Sequence, residues 1–264
     1  MDPPEANLDL VRRFLDAHPE YTDRMFVSVK SRSSASEPAL RQSVATIRQH
    51  LGGKKLDLFE CARVDRNVPI EQAMEVMERL RGEGLFEHIG ISECRAETLR
   101  RACKVAPVAV VEIEVSPFAY EEETKAVIAA AAELNVAVAA YSPLGMGFLT
   151  GTIRSRADLQ GDIRSHMDKL SEKNFENNLK LAGALQGIAT ARGITPAQLC
   201  IAWVSSLGPH VIPIPGSSHE SRTLENLNAA NIVLSKEDLA AVEQAMKDNP
   251  VEGYRYQQGH PVWG

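Results

Sequence analysis

The sequence predicts an α/β fold on a parallel sheet and, within that class, a (β/α)8 barrel. Two observations carry the prediction. Short apolar strands alternate with amphipathic helices along all 264 residues, as parallel strands covered by helices do. Chemically capable side chains fall at the carboxyl ends of several different strands, at Lys30, Ser92, Ser116, Tyr141-Ser142 and Ser217. A barrel gathers its site in that way. An open dinucleotide-binding sheet should instead carry a Gly-rich fingerprint after its first strand, and none follows any strand here.

The expected strands are Met25–Lys30, Leu56–Arg63, Ile89–Glu93, Val108–Ser116, Val136–Ser142 and Val211–Pro215. Ser36 precedes a helix with Leu40, Val44, Ile47 and Leu51 on one stripe, ended by Gly52-Gly53. Pro69 opens another, with Ile70, Met74, Met77 and Leu80, stopped by Gly82. Thr195-Pro196 starts one with Leu199, Trp203 and Leu207, stopped by Gly208. Ser235 caps a last one, with Leu239, Val242 and Met246 inward. Residues 152–173 are polar and carry Arg154, Arg156, Arg164, Lys169 and Lys173. A loop of that length is expected to be a lid over a site or a solvated mobile segment.

Composition narrows the function classes. A hydrophobic share of 44% can cover a sizeable core, and the length suits one large domain. A net charge of -6 argues against nucleic acid or an anionic membrane as the main partner. No window approaches a spanning helix, and Met1-Asp2-Pro3-Pro4-Glu5 lacks the features of a signal peptide, so a cytoplasmic location is expected. Cys61, Cys94, Cys103 and Cys200 are scattered among apolar neighbours without metal-ligand spacing, as reduced buried thiols would be.

The run from Ile212 to Arg222 reads as a strand stopped at Pro215-Gly216, then hydroxyls at a helix start with an Arg one turn in. Unpaired N–H groups at such a start favour an anion, and Ser217, Ser218 and Arg222 add donors suited to phosphate. An ordinary strand-to-helix turn is the alternative.

Four ordered segments carry a family resemblance. They are Gly90-Ile91-Ser92-Glu93, residues 112–118, Ala140-Tyr141-Ser142-Pro143-Leu144-Gly145 with Leu149-Thr150-Gly151, and residues 212–226. Together they resemble the aldo-keto reductases over nearly the whole chain. Residues 59–65 and Tyr254-Arg255-Tyr256 look most like the fungal pyridoxal reductase branch. The resemblance implies a TIM barrel that binds NADPH and reduces a small-molecule aldehyde, pyridoxal for this branch, by hydride transfer. It implies that Tyr141 stacks on the nicotinamide, with Ser142, Leu144 and Gly145 at the pyrophosphate. Ser92 would bond the carboxamide, with Glu112 where most of the family has Gln. Ser217, Ser218 and Arg222 would hold the 2′-phosphate, with Glu225 and Asn226 beside the adenine.

The family's acid is a Tyr phenol tuned by a Lys that is itself paired to an Asp. Lys30 matches the Lys, but the Asp-x4-Tyr-Gly motif that carries the other two is not in the sequence. The resemblance therefore implies a single domain over residues 1–264, incomplete at the amino end, with about six of eight strands. It also implies little turnover for the chain as written. Val27, Val29, Val211 and Ile214 at open edges would meet water or another chain, so self-association is expected. Two other expectations compete: a non-catalytic barrel that binds NADP(H) or a protein partner, and a gene model begun at the wrong Met.

No other residue replaces the Tyr convincingly. Tyr21 and His18 precede the first strand, at its amino end. Tyr120 is expected to be an ordinary surface tyrosine. The family's His falls on Ala62, which cannot donate, and Arg63 should turn away to meet a carboxylate among the helices. Glu60 is expected to be a buried carboxylate paired with a base. Lys30 without its Asp is expected to be a buried ammonium inclined to lose its proton.

Overall fold

A computed structural model describes residues 5–31, 34–255 and 263. Of the residues singled out above, Met1, Asp2, Pro3, Pro4 and Tyr256 lie outside the described residues. Six strands form one sheet: β1 (Ser28–Ser31), β2 (Leu58–Cys61), β3 (His88–Ser92), β4 (Val108–Glu114), β5 (Ala137–Tyr141) and β6 (Val211–Ile214). Their hydrogen-bonded order is β1-β2-β3-β4-β5-β6, in which β1 to β4 pair in parallel, as do β5 and β6. Among the described residues the helices are α1 (Ala6–Ala17), α2 (Glu37–Leu51), α3 (Ile70–Gly82), α4 (Ala96–Val105), α5 (Glu122–Leu134), α6 (Phe175–Ala191), α7 (Pro196–Ser205), α8 (Glu220–Asn228) and α9 (Lys236–Asp248).

The chain divides into two compact units, the first made of residues 1–112, 133–136 and 263–264 and the second of residues 113–132 and 137–262. In the first unit, Leu40, Val44, Leu51, Leu58, Phe59, Met74, Leu80, Ile89 and Leu99 are buried, and Phe59 packs on Phe86 at 5.3 Å between ring centroids. In the second, Ile113, Val127, Val138, Leu181, Leu185 and Leu199 are buried, as is Phe148, which lies 4.9 Å from Phe118 and 5.6 Å from Phe175. Side-chain caps mark the starts of two helices. Thr195 and Gln198 form a reciprocal capping box at α7, and Ser235 and Asp238 another at α9.

Several expected boundaries shift, for local reasons. β1 begins at Ser28 because the Val27 N–H is taken by Asp57 Oδ2 at 2.7 Å, an oxygen that also receives Lys54 Nζ at 2.8 Å. Those two side chains form a buried ion pair at the entry to β2. β2 ends at Cys61, and Arg63 folds back to donate to the Ala62 carbonyl at 2.6 Å, with no carboxylate partner among the described residues. β4 ends at Glu114, after which Ser116 bridges Ala119. α7 stops at Ser205, short of Leu207. Helix α3 includes Gly82, and the turn is made at Gly84, whose φ of +75° suits glycine.

Exposure at the strand ends is uneven. Val27 and Val211 are buried, contrary to expectation, whereas Ile212 and Ile214 are 54% and 43% exposed. Residues 152–173 are not a bare loop. They form three short 3-10 turns at Arg156–Leu159, Ile163–His166 and Asp168–Leu170, with Ile153, Leu159, Lys169 and Leu170 buried. A capping box of Ser155 with Asp158 opens the first turn, and Asp162 accepts from the Arg164 N–H to open the second. Among the described residues, no helix is long and apolar enough to cross a membrane.

Candidate active site

Strand register sets the chemistry of the first unit. Lys30 on β1 pairs with Glu60 on β2, Glu60 with Gly90 on β3, and Ser92 further along β3 with Glu112 on β4. The Lys30 ammonium donates to Glu112 Oε1 in a short ion pair. Lys30 is therefore not the buried, unpartnered ammonium expected, since its side chain keeps 33% exposure and holds a carboxylate. Glu60 is only 1% exposed, and it is not the carboxylate of a simple pair with a base. Burial first, then the neighbouring Glu112 charge and a hydrogen bond to it, push the Glu60 pKa well above the usual range, with Lys30 opposing. Ser92 is fully enclosed and donates to the Glu112 carbonyl at 3.0 Å, so its proton is engaged within the protein.

A cavity of about 640 Å³ in the second unit brings together most of the residues expected to hold a cofactor. Ser142, Leu144, Ser217, Ser218, Arg222, Glu225 and Asn226 all line it, with Arg164 from the 3-10 segment. The backbone there is unusual. Ser142 (φ 51°) and Met146 (φ 55°) are left-handed without being glycine, beside Gly145 (φ 56°) and Gly147 (φ 87°). Such conformations cost about 1–2 kcal/mol per non-glycine residue and gather where a site needs them. Gly145 is not among the residues lining the cavity. A Cβ there would meet Phe118 Cβ at 3.1 Å and Leu149 Cγ at 3.2 Å.

At the far wall, α8 begins at Glu220 with no side-chain cap at His219. Ser217 Oγ closes a local turn, donating to the His219 carbonyl and accepting its N–H at 3.0 and 3.1 Å. Arg222 is exposed and, among the described residues, has no carboxylate partner. Hydroxyls, uncapped amides and a guanidinium make a donor set for an anion, although Glu220 adds a negative charge in the first turn. This set fits a phosphate-bearing cofactor. Arg164 braces the cavity by donating to the Met146 carbonyl at 2.7 Å while chelating Asp162.

Tyr141, half-buried at the end of β5, accepts from Arg255 Nη2 at 3.4 Å through its phenol. Arg255 is 3% exposed and forms an ion pair at 3.1 Å with buried Glu114. Lys169 joins this charged group. It donates to the Phe118 carbonyl at 2.9 Å, and burial lowers its pKa against the pull of Glu114 and Glu121. In the sequence, Arg255 stands out only through the family resemblance and Lys169 only as a loop cation. An Arg two residues after a Gly in a polar tail carries no local mark of burial.

Tyr120 is not an ordinary surface residue. Its ring meets Trp203 edge-on at 4.9 Å, and burial raises its phenol pKa. Tyr21 packs with Phe14 and His18 ahead of β1. Cys94 and Cys200 are buried and Cys61 and Cys103 half-buried, with burial pushing the Cys61 and Cys200 thiols up to about 12. Burial raises the Cys103 thiol as well, so Cys61, Cys103 and Cys200 hold their protons at neutral pH.

The model of the Aldo/keto reductase family matches residues 3–247. The chain belongs to the aldo/keto reductase family. This aldo/keto reductase is 33% identical, over 97% of its length, to the probable pyridoxal reductase 2 of Schizosaccharomyces pombe, of which it covers 81%. It is 37% identical to an aldo-keto reductase of the same organism, named with NADP(+), over 80% of this chain and 63% of that protein. With an aldo-keto reductase of Strobilurus tenacellus it shares 39% identity over 82% of this chain and 65% of that one. The chain thus spans less than two thirds of the length of the latter two relatives. Its fold is that of the glycerol dehydrogenase from Gluconobacter oxydans, with a TM-score of 0.82 at 22% identity over 94% of this chain and 79% of that one. The fold is therefore the TIM-barrel type of the aldo/keto reductases, with six strands among the described residues.

Proposed function

We propose that this aldo/keto reductase binds NADPH and reduces an aldehyde, with pyridoxal as the first substrate to test. One observation carries the reading: the cavity that joins Ser142 and Leu144 to Ser217, Ser218, Arg222, Glu225 and Asn226. Support for the substrate comes from the Schizosaccharomyces pombe relative named as a probable pyridoxal reductase, and support for the phosphate-bearing cofactor from the relative named with NADP(+).

A bound nicotinamide would supply hydride to the carbonyl carbon. The chain's own residues bind and orient the reactants in this reading, and the carbonyl oxygen takes its proton from water. Arg222, Ser217 and Ser218 hold a 2′-phosphate through charge-assisted bonds, and Asn226 and Glu225 flank the base. The left-handed turn at Ser142 and Gly145 turns backbone N–H groups toward a pyrophosphate. Tyr141, fixed through its phenol by Arg255, offers a ring face for stacking. Lys30 provides the positive charge that stabilises an oxygen gaining negative charge, and Glu112 fixes that ammonium.

Titration of the protein with NADPH and NADH, followed by nicotinamide fluorescence, tests the reading. Tighter binding of NADPH is the expected result, and equal affinity for both would remove the phosphate clamp. Oxidation of NADPH on addition of pyridoxal then tests the substrate. Tight NADPH binding without oxidation of any aldehyde tried would favour a non-catalytic binding role.

A further inference from the structure

Two carboxyl groups and one ammonium meet where β1, β2 and β4 approach one another in the first unit. Two neighbouring carboxylates in a protein interior cannot both ionise cheaply, so one of them keeps a proton. The geometry decides which one. Glu112 retains 12% side-chain exposure and holds the Lys30 ammonium directly. Glu60 is 1% exposed, and its Oε2 has no hydrogen-bond partner among the described residues. An ionised oxygen in that position would lack both water and a donor, whereas the carbonyl oxygen of an un-ionised carboxyl tolerates it far better.

The opposite strand makes room for this carboxyl. Gly90 is the register partner of Glu60, and a Cβ on it would stand 2.9 Å from Glu60 Oε2, 2.9 Å from Glu60 Cβ and 2.8 Å from Leu58 Cδ2. No side chain larger than hydrogen can therefore coexist with Glu60 as it lies. The other ionisable groups acting on Glu60 are Lys30 from β1 and Glu112 from β4, while Cys61, beside it on β2, is raised by burial and by the charges of Glu60 and Asp65. β3 contributes only Gly90 at this level.

We propose that Glu60 is a positioning residue for Lys30: un-ionised, it donates its proton in a hydrogen bond to Glu112 and so keeps Glu112 a carboxylate that fixes the ammonium. The proton stays on Glu60, and no bond to the substrate is made by either carboxyl. The effect on turnover follows only through the proposed role of Lys30, but the readouts below require neither NADPH nor an aldehyde. A failure of the reductase reading therefore leaves them interpretable.

Infrared spectra of protein labelled with carbon-13 in its glutamate carboxyls, taken at neutral pH, test the protonation. Nitrogen-15 spectra of the lysine side chains, with the Lys30 signal assigned by its loss in Lys30→Met, test the positioning. The un-ionised carboxyl band is expected in the wild type and is expected to vanish in Glu60→Gln and Glu60→Leu. The Lys30 ammonium signal should survive in Glu60→Gln, whose amide still donates, and be lost or shifted in Glu60→Leu. Absence of the band in the wild type overturns the proposal, as does a Lys30 signal in Glu60→Leu identical to the wild type. If Glu60→Leu does not fold, the other two proteins decide. A band lost with the Lys30 signal kept in Glu60→Gln supports the proposal, and a band kept, or a Lys30 signal lost, overturns it.

Discussion

Lys30 and Glu112 are 82 residues apart in the chain, yet the ammonium of one donates directly to the carboxylate of the other. The contact depends on the stagger of β1 to β4. Lys30, Glu60 and Gly90 share a level across three strands, and a register shift at Ile89/Gly90 precedes the pairing of Ser92 with Glu112. The chemistry proposed for Lys30 therefore rests on strand pairing as much as on side-chain identity.

Replacing Gly90 by Ala should destabilise the protein. The added methyl would meet Leu58 Cδ2 at 2.8 Å and two atoms of Glu60 at 2.9 Å. Overpacking of a dense core costs about 1–3 kcal/mol. Urea unfolding should show a lower midpoint with an unchanged slope, and Gly90→Ala combined with Glu60→Ala should recover part of the loss. No change in the midpoint for Gly90→Ala would contradict the packing described.

Stability should fall as pH rises beyond the ordinary carboxylate range, in part through Glu60. Unfolded, Glu60 ionises in that ordinary range, whereas folded it keeps its proton to higher pH because burial and Glu112 raise its pKa. The folded state thus binds more protons over the interval between the two pKa values, and its stability is lost across that interval. Glu60→Gln cannot ionise and escapes the loss. Relative to the wild type, it should gain stability progressively as pH rises through and beyond the ordinary carboxylate range in parallel urea titrations. Curves that keep a constant separation would exclude the shift.

Arg222→Ala should weaken NADPH binding by about 1.5–3 kcal/mol and leave NADH nearly unaffected, as expected for a charge-assisted contact to a 2′-phosphate. Arg222 is exposed, so its removal should not alter folding. Calorimetric titration of both cofactors into both proteins separates the two effects. Equal losses for NADPH and NADH would place the guanidinium elsewhere.

Arg255→Met should be among the more damaging single substitutions, because it leaves Glu114 charged, 4% exposed and without its guanidinium partner at 3.1 Å. Breaking a buried pair from one side costs about 3–5 kcal/mol. The double change with Glu114→Gln should be milder than Arg255→Met alone when thermal midpoints are compared. A double variant worse than the sum of the two single ones would refute the pairing.

Much of the fold is legible in the sequence because its signals are local. Thr195-Pro196 with Gln198, and Ser235 with Asp238, announce α7 and α9 by the same hydrogen bonds that the structure contains. Each of the six expected strands exists with shifted ends: β2, β4, β5 and β6 are trimmed where an apolar run extends past the last ladder bond, whereas β1 runs on to Ser31 and β3 starts at His88. α5 and α6 are less visible. The run of four alanines in α5 weakens its periodic contrast, and α6 is interrupted by Gly183 and Gly187. At the site, the residues of the Ser142 and Ser217 motifs line one cavity, and only the family resemblance, not any spacing in the sequence, links the two. The partners of Lys30, Glu60, Arg255 and Lys169 do not show in the sequence. They depend on register and on where a polar tail is buried, which no window of neighbouring residues contains.

The brace between Arg164 and the Met146 carbonyl reaches beyond local geometry. It ties two stretches that would otherwise fluctuate separately, the left-handed turn after β5 and the 3-10 segment that begins 10 residues later at Arg156. A guest entering the cavity then meets a surface already arranged, and little freedom remains to be surrendered on association. The same tie makes the two stretches a single opening unit. Their amides should exchange with solvent at a common rate, so that loosening one end of the brace exposes both.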